Sequence, residues 1–133
     1  MSASLDRRAL LARLAYGGAL LAACVPSACA NRYGSGTKAV VPLVDLPPGG
    51  RLKIRVAGKP VELRRTAEGV AARSLLCTHT GCTVAWDEAR QRYLCPCHEG
   101  VYDSNGAVLS GAPTAPLADV PVTVAGKDVV VGA

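Results

Sequence analysis

The chain has 133 residues, a formal net charge of +5 and six cysteines. This length suits a single domain. The basic residues are scattered and no aromatic side chains are interleaved with them, which excludes the pattern of a nucleic-acid-binding protein.

The N-terminal segment, residues 1–23, has the composition of an export signal. Arg7 and Arg8 precede a short apolar run that ends in small residues. This run falls short of the ~20 apolar residues that a membrane-spanning helix needs. The string Arg7-Arg8-Ala9-Leu10-Leu11 resembles a twin-arginine signal, which carries folded cargo. An amphipathic helix that stays on the mature chain is the alternative.

Two cleavage sites follow this signal. The string Leu21-Ala22-Ala23-Cys24 resembles a lipoprotein box, in which cleavage leaves Cys24 as a lipid-bearing N-terminus. The competing site follows Ala28-Cys29-Ala30 and would release a soluble protein. We expect lipidation at Cys24, which leaves Cys29 without a role. Residues 24–39 contain Pro, Ser and Gly without an apolar period, and we predict that they form a flexible tether.

Residues 40–133 form the predicted folded domain, and their pattern predicts an all-β structure. Segment 51–56 alternates strictly, with three apolar residues on one face and Arg51, Lys53 and Arg55 on a solvated face. Ser104-Asn105-Gly106 predicts a hairpin turn. Other strands are predicted at 61–65, 69–76, 83–86, 92–94, 120–124 and 128–131. No stretch of the domain has a sustained helical period.

Two short segments hold both histidines and four of the six cysteines: Cys-Thr-His-Thr-Gly-Cys at 77–82 and Cys-Pro-Cys-His at 95–98. A zinc site could use two cysteines and two histidines. An iron–sulfur cluster with four cysteine ligands would leave both histidines idle. A mixed cluster would take one cysteine and one histidine from each segment, leaving Cys82 and Cys97 to pair as a disulfide. Only the mixed cluster uses all six side chains, and a disulfide suits an exported protein.

The two segments together resemble those of the Rieske iron–sulfur family, of the disulfide-containing type found in quinol-oxidising cytochrome bc complexes. The resemblance covers residues 40–131. It implies a small antiparallel β-sandwich or barrel whose cluster-binding subdomain holds a [2Fe-2S] cluster. The residues it implies are Cys77, His79, Cys95 and His98 as ligands and Cys82 and Cys97 as the disulfide.

The resemblance also assigns residues around the cluster. Residues 111–116, with Pro113, resemble the family's proline loop, which covers the cluster. Tyr102 matches a tyrosine that would donate its hydroxyl to the Cys95 sulfur. Gly100 stands where the family commonly has a serine donor, and Glu99 adds a negative charge. We therefore expect a reduction potential below the upper end of the family's range.

The function implied by the resemblance is one-electron transfer, with the domain as the iron–sulfur subunit of a membrane oxidoreductase like quinol–cytochrome c reductase. The implied partners are a cytochrome b-type or large catalytic subunit, a c-type cytochrome and quinol. Quinol would hydrogen-bond to His98, the candidate catalytic residue, although Thr80 replaces a leucine common in quinol-oxidising members. The expected location is the periplasmic face of a bacterial cytoplasmic membrane, or the periplasm.

Three other functions stay open on the sequence. The chain could be a stand-alone ferredoxin-like carrier, the small subunit of another periplasmic oxidoreductase, or a zinc-stabilised module. Such ferredoxins usually lack both the disulfide cysteines and an export signal. A self-contained enzyme is not expected, because no nucleophile or acid–base pair lies outside the two Cys/His segments.

Overall fold

The computed structural model describes residues 32–34 and 36–132, which form ten strands and one short 3-10 helix. The predictions for residues 1–23, Cys24 and Cys29 lie outside these described residues. The elements are β1 (Ala39–Pro42), the 3-10 helix (Leu43–Asp45), β2 (Arg51–Val56), β3 (Lys59–Thr66), β4 (Gly69–Ser74), β5 (Ala85–Asp87), β6 (Arg92–Cys95), β7 (Gly100–Tyr102), β8 (Val108–Ser110), β9 (Val122–Ala125) and β10 (Asp128–Val131).

The strands form three antiparallel sheets, with the orders β1-β10-β9, β2-β3-β4 and β5-β6-β7-β8. No α-helix occurs in the described part of the chain, and none of its helical segments is long and apolar enough to cross a membrane. The all-β prediction is confirmed.

The first two sheets share one apolar core, which serves as the base of the domain. In β2, Ile54 and Val56 are buried in this core while Lys53 and Arg55 are exposed, as the alternation predicts. Burial of one apolar row from each strand stabilises such a pair of sheets by roughly 25 cal/mol per Å² of apolar surface. The buried members of this core are Ala39, Val41, Leu46, Ile54, Val56, Val61, Leu63, Ala72, Val129 and Val131.

The third sheet has its own smaller core and carries both Cys/His segments. Tyr93 and Tyr102 are its largest buried side chains, and they pack with Leu75, Val84 and Leu117. The two aromatic residues lie directly opposite each other on β6 and β7.

The hairpin predicted at Ser104-Asn105-Gly106 joins β7 and β8. The Asp103 carboxylate accepts hydrogen bonds from the backbone N–H groups of Asn105 (2.8 Å) and Ala107 (2.9 Å). Gly106 has φ 81°, in the left-handed region that favours glycine. These contacts hold the turn that follows Tyr102.

Three features differ from the sequence prediction. Strand β1 begins at Ala39 and pairs with β10 near the C-terminus. No local sequence pattern predicted this pairing. Tyr33, in the predicted tether, packs against the base core and donates a hydrogen bond to Asp45. Arg51 is also not part of a solvated row, because it is half-buried and bonded to Glu62.

Candidate metal centre

Each Cys/His segment forms a loop that is closed by strand-like pairing at its base. In the first loop, Leu76 pairs with Thr83, and the Cys77 N–H donates to the Cys82 carbonyl at 2.7 Å. In the second, Cys95 at the end of β6 pairs with Gly100 at the start of β7. The backbone at the base of each loop is therefore held in place by pairing, which positions the Cys and His side chains that the loop carries.

A disulfide joins the two loops. The Cys82 and Cys97 sulfur atoms are bonded, with 6.5 Å between the Cα atoms. This pairing is the one that the resemblance implied, and the structure confirms it. The bond holds the two loops side by side, so that the remaining Cys and His side chains of both lie together.

Those four side chains separate into a buried and an exposed pair. The thiols of Cys77 and Cys95 are not disulfide-bonded, and the two residues are only 3% and 2% exposed. His79 and His98 are exposed, and their ring centroids lie 4.8 Å apart with the rings nearly perpendicular. The loops thus bring two thiols together inside the domain and two imidazoles together at its surface.

Tyr102 contacts a different sulfur from the one we expected. Its hydroxyl lies 3.2 Å from the Cys77 sulfur, so the expected bond to the Cys95 sulfur is wrong. The first loop brings Cys77 over β7. The position of a tyrosine in the sequence does not determine which of two nearby thiols its hydroxyl contacts. Burial of Tyr102, followed by its hydrogen bond to Cys77, raises the pKa of the phenol, which keeps it a neutral donor.

The surroundings of Cys77 favour its thiolate form. Burial opposes ionisation, but hydrogen bonds from the Tyr102 hydroxyl and the backbone N–H groups of His79 and Thr80 outweigh it and lower the pKa of the Cys77 thiol. A thiolate is the form of cysteine that binds metal. The local hydrogen bonds therefore favour the ionised form that a metal ligand requires.

Thr78 is a residue whose role the sequence did not suggest. Its hydroxyl donates to the Ala115 carbonyl at 2.6 Å, and its backbone N–H donates to the Tyr102 hydroxyl at 3.2 Å. Thr78 thus joins the first loop to residues 111–116 and to β7. Its position between a cysteine and a histidine was the only available signal, and that position does not reveal a contact with a loop far along the chain.

The proline loop packs directly against the second Cys/His loop. Pro113 is buried. A Cβ atom added to Gly100 would lie 2.7 Å from Pro113 Cγ and 3.3 Å from Cys95 Cβ. A serine at position 100 therefore requires the proline loop to move. Because residue 100 is a glycine, it supplies no side-chain donor, and Pro113 can pack closely against it.

The donor set suits a binuclear cluster. Among residues 32–34 and 36–132, no three Cys, His, Asp or Glu side chains converge on a position for one metal ion. A Rieske-type cluster needs no such position, because two cysteines bind one iron and two histidines bind the other. Two buried thiols beside two exposed imidazoles fit that requirement.

A family model described as the Rieske [2Fe-2S] domain matches residues 37–130. The chain belongs to this family. Its cofactor is therefore a [2Fe-2S] cluster.

Curated relatives agree with this assignment. This Rieske domain is 36% identical over 99 residues to the carotenoid phi-ring synthase of Chlorobaculum tepidum, covering 74% of this chain and 15% of that protein. It is 34% identical over 93 residues to the cytochrome b6-f complex iron-sulfur subunit of the same organism, covering 70% of this chain and 51% of that subunit. The chain thus spans about half or less of the length of these relatives.

A solved structure supports the fold. The plasma membrane Rieske protein of the cyanobacterium Synechocystis superimposes with a TM-score of 0.58 and 31% sequence identity, covering 69% of this chain and 95% of that one. The three-sheet arrangement of this Rieske domain is therefore shared with a solved member of the family.

Proposed function

We propose that this Rieske domain transfers one electron at a time, with Cys77 and Cys95 on one iron of its cluster and His79 and His98 on the other. The observation that carries the proposal is the separation of two buried thiols from two exposed imidazoles on disulfide-joined loops. When bound, a cluster of this type accepts one electron at a potential of roughly −150 to +300 mV. The two thiols would hold the side of the cluster that faces the domain interior, away from water. The two imidazoles would hold the side that faces solvent, where a redox partner can approach.

Tyr102→Phe is expected to lower the reduction potential. The Tyr102 hydroxyl lies 3.2 Å from the Cys77 sulfur, and a hydrogen bond to a cluster sulfur stabilises the more electron-rich reduced state. A differential contribution of about 1 kcal/mol corresponds to roughly 40 mV for a one-electron couple. Redox titration of the purified variant measures the shift, and an unchanged potential would show that the hydroxyl does not bond to a ligand sulfur in the loaded protein.

The same reasoning places the potential of the unmodified protein below the upper end of the range. Gly100 supplies no side-chain donor, and the packing of Pro113 leaves no room for one without movement of the loop. Glu99, exposed beside His98, adds negative charge that disfavours an added electron. A titrated potential at the top of the range would contradict this argument.

We further propose that the domain serves as the iron–sulfur subunit of a quinol–cytochrome c reductase-like complex. The similarity to a cytochrome b6-f iron-sulfur subunit supports this proposal. His98 is exposed, so its outer ring nitrogen can form a hydrogen bond with quinol. The proposed protein partners are a cytochrome b-type subunit and a c-type cytochrome. The disulfide argues against the ferredoxin-like carrier, a class that usually lacks it.

Purification from native membranes separates these two functions. The tagged full-length chain, solubilised in mild detergent, should co-purify with a b-type haem, and the preparation should reduce cytochrome c with quinol as donor. A variant His98→Gln should lose this activity. Recovery of the cluster-bearing chain alone from the soluble fraction would instead support the carrier.

The N-terminal predictions complete the proposal. Residues 1–23 would direct export, Cys24 would carry lipid, and the part of segment 24–39 that precedes Tyr33 would tether the domain to the periplasmic face of the cytoplasmic membrane. Several acyl chains on one cysteine anchor a protein where a single chain would not. Replacing Arg7 and Arg8 with lysines should retain cluster-bearing protein in the cytosol, as cell fractionation would reveal, and continued export would contradict the twin-arginine route.

A further inference from the structure

An ion pair joins Arg51 and Glu62 of the sheet β2-β3-β4, and both side chains bond to Tyr93 of the sheet that carries both Cys/His loops. We propose that this pair lowers the reduction potential of the cluster, with the Glu62 carboxylate as the dominant charge. The inference rests on the proposed function, because it requires a one-electron cluster held by the two loops. Glu62 is a tuning residue that acts through the electric field of its carboxylate and touches no ligand itself.

Glu62 is enclosed on the cluster side of the base. Its side chain is 1% exposed, and its Oε1 atom accepts hydrogen bonds from Arg51 and from the Tyr93 hydroxyl, the latter at 2.6 Å. Its Oε2 atom is buried without a hydrogen-bond partner among the described residues. A carboxylate held in this way is little screened by water, so its field extends further than that of a surface acid.

Arg51 does not cancel this field. Its guanidinium lies 3.4 Å above the Trp86 ring, and its side chain is 19% exposed. Solvent therefore screens the positive charge more than the negative one, and the pair presents a net negative field to the sheet above it. Burial of such a pair is seldom more stabilising than apolar packing would be, so stability alone does not account for it.

Tyr93 connects the carboxylate with both predicted thiolate ligands. It lies on β6, two residues before Cys95, and its cross-strand partner on β7 is Tyr102, whose hydroxyl contacts Cys77. The Glu62 carboxylate thus accepts a hydrogen bond from a tyrosine that shares one buried cluster with Cys77 and Cys95. A negative charge in that place opposes the addition of an electron.

Four variants of the full-length, cluster-loaded protein test this inference by redox titration and thermal unfolding. Glu62→Gln should raise the potential. Arg51→Lys keeps the charge and Tyr93→Phe removes only a hydroxyl, so both should unfold at a lower temperature than the parent protein while their potentials stay close to its value. The double variant Arg51→Gln with Glu62→Gln leaves no unpaired charge to prevent folding, and its potential should lie between those of the parent and of Glu62→Gln.

The outcomes distinguish this inference from the proposed function. A double variant with a potential at or below that of the parent overturns the tuning role, as does a potential that changes equally in all four variants along with the unfolding temperature. A parent protein without a one-electron couple overturns the proposed function and the inference with it. A parent with a normal couple and the predicted order of potentials supports both.

Discussion

Replacing Cys95 by serine is expected to reduce the iron and acid-labile sulfide of the purified protein to background. Cys95 is 2% exposed at the end of β6, so no solvent molecule or neighbouring residue can readily take the place of its thiolate. Loss of a supporting residue around a metal ligand typically costs about 10–100-fold in affinity, and loss of the ligand itself should exceed that. Elemental analysis for iron and zinc, together with a sulfide assay, measures the effect.

Thr80→Ser is the matched control for this variant. Thr80 is exposed in the first Cys/His loop, and serine keeps the hydroxyl that lies 3.5 Å from the Cys82 sulfur. Its iron and sulfide should equal those of the parent protein. A Cys95→Ser protein that keeps its full iron and sulfide would contradict the ligand assignment. Zinc in place of iron in the parent would favour the zinc-stabilised module.

Removing the disulfide is expected to have the second-largest effect. Cys82 and Cys97 are separated by 15 residues, and a bridge that closes a loop of this size contributes about 3 kcal/mol to the free energy of unfolding at 25 °C. The two loops would also lose the bond that holds them side by side, so the cluster should be released sooner. The decay of the visible absorbance of the cluster in guanidinium measures this loss directly.

The single and double variants provide an internal control. Cys82→Ser and Cys97→Ser each break the same bond, so each should lose the cluster about as fast as the double variant. Reduction of the parent protein with dithiothreitol should reproduce the effect without a change of sequence. Equal resistance to guanidinium in the parent and the double variant would show that the loops hold together without the bridge.

The sequence predicted those parts of the structure that depend on local pattern. The alternation in segment 51–56 predicted β2 with the bounds that the structure has, and Asn105-Gly106 predicted the β7–β8 turn. The spacing of cysteine and histidine, through the family resemblance, predicted the Cys82–Cys97 bridge. For the strand and the turn, neighbouring residues carry the physical cause, whereas the bridge was predicted only through the resemblance.

The parts that the sequence did not predict depend on contacts between distant segments. Strand β1 exists because Ala39–Pro42 pairs with β10 near the C-terminus. Arg51 leaves the solvated row because its partners, Glu62 and Tyr93, lie 11 and 42 residues away. The Tyr102 hydroxyl reaches Cys77, 25 residues before it, since the folded path of the first loop decides which thiol lies above β7.

The central claim is that two imidazole nitrogens bind one iron while two thiolates bind the other. Electron–nuclear double resonance of the reduced protein, prepared with natural-abundance and with ¹⁵N-labelled histidine, tests it most directly. The account predicts couplings from two directly bound nitrogen nuclei that change with the histidine label. A reduced cluster without such nitrogen couplings would contradict it, because all of its protein ligands would then be sulfur.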